Sequence, residues 1–188
     1  MSEHQGLRMS EIDRPTDATE ERVQALSEEY AEERIAHLVR LCARGFNRSL
    51  ARRLADHGVS FGQWVFLRIL WKQEGLTQKE LSKFANLTEP TTHTALSKLK
   101  KLDVIEQRMQ AGNKRKLHIY LTEKGRDLQS VLEPLAIEAN DVALQGISPA
   151  QHAHLHEMLV RIIANLERDE AEAEAVGRKV PPTRSAAL

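Results

Sequence analysis

Cysteine occurs once in the 188 residues, as Cys42. A lone cysteine excludes an internal disulfide and any cysteine-rich zinc site, and it suits a reducing, cytoplasmic setting. Cys42 falls in the apolar register of its helix, so buried packing is its expected role. Long apolar runs are also missing: none approaches the roughly 20 residues that span a bilayer, and no membrane contact is expected. Residues 1–21 are acidic and hold no apolar segment, so no signal peptide is expected there. No glycine-rich phosphate loop, G-x-S-x-G or H-E-x-x-H occurs, and the core-forming segments are poor in acids, so neither an enzyme nor a cofactor is expected. His152, His154 and His156 alternate, but on a helix only His152 and His156 share a face. Zinc generally needs three or four ligands, so no metal is expected.

Net charge is absent too, at a formal zero, but that balance hides a pattern. Residues 1–33 carry ten acids against three arginines, and residues 34–71 carry seven arginines against Asp56 alone. Residues 72–126 carry twelve Lys or Arg against six acids, and residues 127–188 carry ten acids against five bases. The middle of the chain would attract a polyanion, and its ends would not.

What is present is mostly helical periodicity. Residues 1–18 are polar and aperiodic, and disorder is expected. From 19 to 57 the apolar positions Ile35, Leu38, Val39, Leu41, Cys42, Phe46, Leu50 and Leu54 predict one long helix closed at Gly58. Ser60 to Gln63 has capping-box form and opens an almost wholly apolar core helix that Gly75 ends. Phe46, Phe61, Trp64, Phe66 and Trp71 are expected in the core. Thr77 to Glu80 is a second capping box, opening a short helix with Leu81, Phe84 and Ala85 inward. Asn86-Leu87 makes a turn, Thr88 caps the next helix, and Pro90 lies in its first turn. Two runs of loose period two follow, 104–109 and 117–121, joined by a turn with the cations Lys114, Arg115 and Lys116. Thr122 caps a helix through Pro134 to Gly146, and Ser148-Pro149-Ala150-Gln151 opens a last helix with Leu155, Leu159, Ile162, Ile163 and Leu166 as its stripe. The expected divisions are thus a first helix over 19–57, a winged helix-turn-helix over 58–125, pairing helices over 126–170 and a largely disordered tail over 171–188. The fold class is mostly α with a small β-wing.

The helix after Thr88 has two faces. Thr92, Ala95, Leu96, Leu99 and Asp103 share the inward side. Pro90, Thr94, Ser97, Lys98 and Lys101 lie opposite, with Thr91 and His93 on the flanks. A major groove about 12 Å wide admits one α-helix, and this outward face holds no bulky or acidic group. Its hydroxyls and His93 suit base edges, and Lys98 and Lys101 suit phosphates. The turn bearing Asn113, Lys114, Arg115 and Lys116 could lie along the adjacent minor groove, with Arg115 as the probe. A hydroxylated face or a basic turn alone is usually just solvated, but few folds need the order helix, turn, helix, strand, basic turn, strand. A winged-helix module docking on an acidic protein is the competing reading.

The chain resembles the MarR family of transcriptional regulators. The likeness rests on Asn113 to Gly125, NKRKLHIYLTEKG, beside a family pattern D-x-R-x-x-x-(aliphatic)-x-L-T-x-x-G. The segments LTQKELS and LTEPTTHTALSKL resemble the family's bracing and recognition helices. The likeness covers about residues 30–168. It implies a homodimer with intertwined outer helices on a pseudo-palindromic operator. It also implies control by a small aromatic or anionic effector, such as an aromatic acid or its thioester. Asn113 stands where the family has an Asp that holds the wing arginine, so Arg115 has no ion-pair anchor there. The resemblance further implies a pocket flanked by the first, second and fifth helices, with Arg44, Phe46, Arg48 and Trp64 as candidates. Arg44 and Arg48 belong to a stripe, Arg40, Arg44, Arg48 and Arg52, that is either a solvated, ion-paired face or an anion site.

Overall fold

The computed structural model describes residues 17–110 and 113–179, the side chains at 17, 110 and 113–115 lying outside that description. The elements run α1 (Asp17–Glu29), α2 (Ile35–Ala55), α3 (Phe61–Lys72), β1 (Leu76–Thr77), α4 (Gln78–Phe84), α5 (Glu89–Lys101), β2 (Ile105–Gln110), β3 (Asn113–Leu121), α6 (Glu123–Ala143) and α7 (Pro149–Ala175). The strands form an antiparallel sheet in the order β1-β3-β2. Leu76 pairs with Ile119, Gln107 also faces Ile119, and the β2–β3 register shifts between Met109 and Gln110. This is the mostly α winged helix-turn-helix that the periodicities predict.

All three expected capping boxes form, at Ser60/Gln63, Thr77/Glu80 and Ser148/Gln151. Each satisfies two helix-end amides that would otherwise lack partners, which fixes where a helix begins. Phe66, Leu67 and Leu70 of α3 are fully buried among Leu54, Leu81, Leu96, Leu99, Ile105, Ile119, Leu121 and Leu132. The core therefore sits where α3 meets the helix-turn-helix, the sheet and α6.

Four expectations are corrected. The helix over 19–57 is two helices, parted at 30–34. Glu28, Glu29, Glu32 and Glu33 crowd the C-terminal end of α1, which has no base in its last turn, and the helix dipole disfavours anions there. The apolar period begins only at Ile35, where α2 starts. At the other end, α7 continues to Ala175 before Gly177 turns the chain at φ 75°, so 171–175 is helix rather than tail. Cys42 is exposed rather than packed. Phe84 is 62% exposed, because α4 ends with its inward stripe at Leu81 and Ala85.

One junction joins the core to the helix-turn-helix. After α5, Asp103 takes a left-handed φ of 57° and brings Val104 back beneath the end of β3. The Thr122 amide donates to the Val104 carbonyl at 3.2 Å, and the Thr122 hydroxyl donates to the Asp103 carbonyl at 2.8 Å while accepting from Gly125 N. Lys124 Nζ reaches the Leu102 carbonyl at 2.9 Å, and Trp71 Nε1 donates to the Gly125 carbonyl at 2.9 Å. A Cβ on Gly125 would collide with the Val104 carbonyl oxygen, which is backbone and cannot swing aside. Gly125→Ala is therefore expected to cost about 3 kcal/mol or more in urea unfolding. Gly45→Ala, where a Cβ meets nothing within 4 Å, should gain about 0.5–1 kcal/mol.

Candidate nucleic-acid interface

The helix α5 begins at an N-cap, Thr88, whose hydroxyl accepts from Thr91 N, and Pro90 occupies the first turn at no hydrogen-bond cost. Thr92, Leu96 and Leu99 are buried against the core, as expected of the inward stripe. Pro90, Thr91, His93, Thr94, Lys98 and Lys101 are exposed, and Ser97 is half-buried. The outward face is thus a surface of small hydroxyls and cations on a helix fixed from behind. Its hydroxyls are engaged: Thr91 and Thr88 share a hydrogen bond at 2.9 Å, and Thr94 donates to the Pro90 carbonyl at 3.0 Å. Thr91, Thr94 and Lys98 also border a shallow hollow of about 310 Å³ with Ser60, Gly62 and Gln63 at the start of α3.

The brace behind this face is α4. Its first residue, Gln78, lies hydrogen-bonded through Oε1 to His93 Nδ1 at 3.3 Å. Gln78 was not among the residues singled out from the sequence. The signal was there, since the Thr77–Glu80 capping box places Gln78 in the first turn of α4. Asn86 adopts a left-handed φ of 51°, which swings α5 away from α4.

In the wing, Lys116 is exposed on β3. Asn113, Lys114 and Arg115 belong to β3 by backbone, but their side chains lie outside the described residues. At the base of the wing Arg108 ion-pairs with Glu106, and its guanidinium carbon lies 5.3 Å from the centre of the Tyr120 ring. The Glu106 carboxylate is the main cause that raises the Arg108 pKa above its ordinary value. Arg108 is a further wing cation that the alternation of β2 alone did not single out.

The pocket candidates separate. Phe46 and Trp64 line a cleft of about 210 Å³ with Leu50, Phe61, Arg68 and Asn140, between α2, α3 and α6. Phe46 is 37% exposed at this cleft rather than in the core. Arg44 and Arg48 do not line it; Arg40, Arg44, Arg48 and Arg52 are all exposed. The cation at the cleft is Arg68, which the arginine stripe of α2 drew attention away from. Arg53, outside that stripe, joins α2 to α6 through Glu138 at 2.9 Å. Among the described residues no group of three His, Cys, Asp or Glu could hold a metal ion, and no helix is long and apolar enough to cross a membrane.

Residues 59–117 match the model of the MarR family. The HTH-type transcriptional regulator TtmR of Methylorubrum extorquens is 27% identical over 139 residues, covering 74% of this chain and 68% of TtmR. The crystal structure of the transcriptional regulator SlyA is 25% identical, with a TM-score of 0.65 over 72% of this chain and 95% of that one. A MarR family regulator from Listeria monocytogenes, crystallised with 26mer DNA, is 23% identical with a TM-score of 0.66, covering 79% of this chain and 99% of its own. A Mycobacterium tuberculosis MarR family protein in complex with salicylic acid is 23% identical with a TM-score of 0.60, covering 70% and 97%. The latter two likenesses bear on the fold.

The brace supplies a pH test. Glu80 accepts from both the Thr77 hydroxyl at 2.7 Å and the Thr77 amide at 2.8 Å, and these bonds hold its carboxyl below the ordinary glutamate pKa. A carboxyl lowered in the folded state contributes stability above its unfolded pKa of about 4.3 and loses it as pH falls through the folded value. Wild type is expected to exceed Glu80→Gln in stability at pH 7, and the gap should close in denaturation curves taken progressively below pH 4.

Proposed function

We propose that the chain, whose residues 59–117 match the MarR family model, is one of that family's transcriptional regulators and acts as a cytoplasmic homodimer on a pseudo-palindromic DNA operator, released by a small aromatic acid or its thioester. The observation that carries the DNA reading is the outward face of α5, where small hydroxyls, His93 and two lysines stand on a helix braced by α4. In this reading α5 enters the major groove. Thr91, His93, Thr94 and Ser97 meet base edges, Pro90 lets the helix start approach closely, and Lys98 and Lys101 hold phosphates. The wing, with Asn113, Lys114, Arg115 and Lys116, follows the minor groove. A duplex selected from random sequence should lose affinity as salt rises, with a slope of about −0.9 per phosphate contact. Arg115→Ala should cost about 1–3 kcal/mol, concentrated at one base step, while Lys101→Ala weakens all sequences alike. Equal, weak binding of selected and random duplexes would return the chain to the alternative of a protein-docking winged helix.

The homodimer is supported by what the single chain leaves uncovered. Met158, Leu159, Val160, Ile162, Ile163 and Leu166 of α7 are exposed, as are Val131, Ile137 and Val142 of α6. Helices with that much apolar surface call for a partner, and a second copy supplies the same surface by symmetry. Two copies would then present two α5 helices to half-sites about one helical turn apart. Leu159→Asp with Ile163→Asp is expected to give a monomer in sedimentation velocity and to weaken operator binding at least tenfold.

The effector reading rests on the cleft between α2, α3 and α6. Phe46, Phe61 and Trp64 offer apolar and aromatic surface to a ring, and Arg68 offers a cation to a carboxylate. The salicylic acid bound by the Mycobacterium tuberculosis relative is a ligand of this chemistry.

A further inference from the structure

The exposed aromatic on α4 has no role in the core, the helix cap or the DNA-facing surface. Phe84 stands 62% exposed over a second cleft of about 190 Å³, which it lines with Val65, Arg68, Ile69, Lys72 and Ala85. This cleft and the effector cleft share two wall residues, Val65 and Arg68. Each alone, at about 190 and about 210 Å³, is smaller than the roughly 300–1,000 Å³ of ordinary ligand sites. A ligand that crossed Val65 and Arg68 and filled both hollows would occupy about 400 Å³, within that range. Arg68 then stands where the two halves meet, with Phe46, Phe61 and Trp64 on one side and Phe84 with Lys72 on the other.

We propose that the effector site is this two-lobed trough across α3, and that it takes an extended aromatic anion with two ring systems flanking its acid group: one ring against Trp64, the anion on Arg68, and the second ring against Phe84. The inference rests on the effector reading above and adds the ligand's length and its second contact. A large ring exposed beside two cations suits such a ligand, because aromatic faces hold a ring by offset or edge contact while Arg68 and Lys72 hold negative charge. Location gives the second lobe an effect. Phe84 and Ala85 immediately precede the turn at Asn86 and Leu87, where Asn86 N bonds the Lys83 carbonyl and Leu87 N bonds the Ser82 carbonyl. A ring packed on Phe84 therefore bears on the link that sets α5 relative to α4, whereas a single-ring acid held by Trp64 and Arg68 does not touch it.

Isothermal titration of the full chain with salicylate and with N-phenylanthranilate, which carries a second ring on the same type of acid, tests this. N-phenylanthranilate is expected to bind about tenfold tighter than salicylate, the size of one good aromatic contact. Phe84→Ala should abolish that difference while leaving salicylate affinity within about twofold of wild type. Arg68→Gln should weaken both compounds. If both compounds bind, Arg68→Gln weakens them, and Phe84→Ala changes neither, the trough ends at Arg68 and the two-lobed proposal fails while the effector cleft stands. If neither compound binds, both readings fall.

Discussion

The carbonyl of Val104 is the point on which the architecture turns. It receives the Thr122 amide at the end of the sheet and lies where only a glycine can pass, so three segments meet within one residue's width. The end of α5, the end of β3 and the start of α6 are thereby locked in mutual position. Trp71 ties α3 to the same spot through the Gly125 carbonyl. Glu74 adds a second tie, accepting from the Leu121 amide at 2.9 Å and from Nε and Nη2 of the Arg126 guanidinium at 3.0 and 3.1 Å. Pairs as exposed as Glu74–Arg126 add little stability by themselves; here the pair fixes direction. The orientation of α6 relative to α5 is set here by backbone contact, and any movement of one is felt by the other.

Where the sequence was legible, a local physical rule forced the outcome. Serine or threonine three residues before glutamine or glutamate placed helix starts at Ser60, Thr77 and Ser148, because unsatisfied amides have few alternatives there. The inward stripe of α5 was readable because Thr92, Leu96 and Leu99 repeat at helical period against a core of fixed size. The misplacing of Cys42 and Phe46 has one cause, which is that periodicity names a face without naming what covers it. Cys42 and Phe46 share the register of Leu50 and Leu54, yet only the latter two reach the core. The two-residue strand β1 is too short to show any period and exists because β3 offers it partners. The break at 30–34 depended on charge against a helix dipole, a term smaller than the helical propensity surrounding it.

The same reasoning sorts the candidate site. Residues of α5 could be named in advance because one element carries them all and its buried side is unambiguous. The cleft residues could not, since it is assembled from three helices whose relative rotation no single stretch of sequence contains. Phe46 and Trp64 arrived there as aromatics of adjoining helices, while Arg68 was passed over for a longer run of arginines on α2 that faces solvent instead. A row of like charges is conspicuous in a sequence, and a single cation at the meeting of two hollows is not.

The hydroxyls of α5 carry a consequence for how forgiving the reading would be. Thr91 already shares a bond with Thr88, and Thr94 already donates to the Pro90 carbonyl. A base-edge acceptor offered to the Thr94 hydroxyl must compete with a bond the helix already owns, so a correct base exchanges one partner for another at little net gain. A wrong base leaves the hydroxyl satisfied where it was, and no buried donor is stranded to penalise the mismatch. Threonines of this kind give tolerance, letting one protein settle on a set of related sequences rather than on one. Sharp discrimination has to come from groups without an internal partner to fall back on.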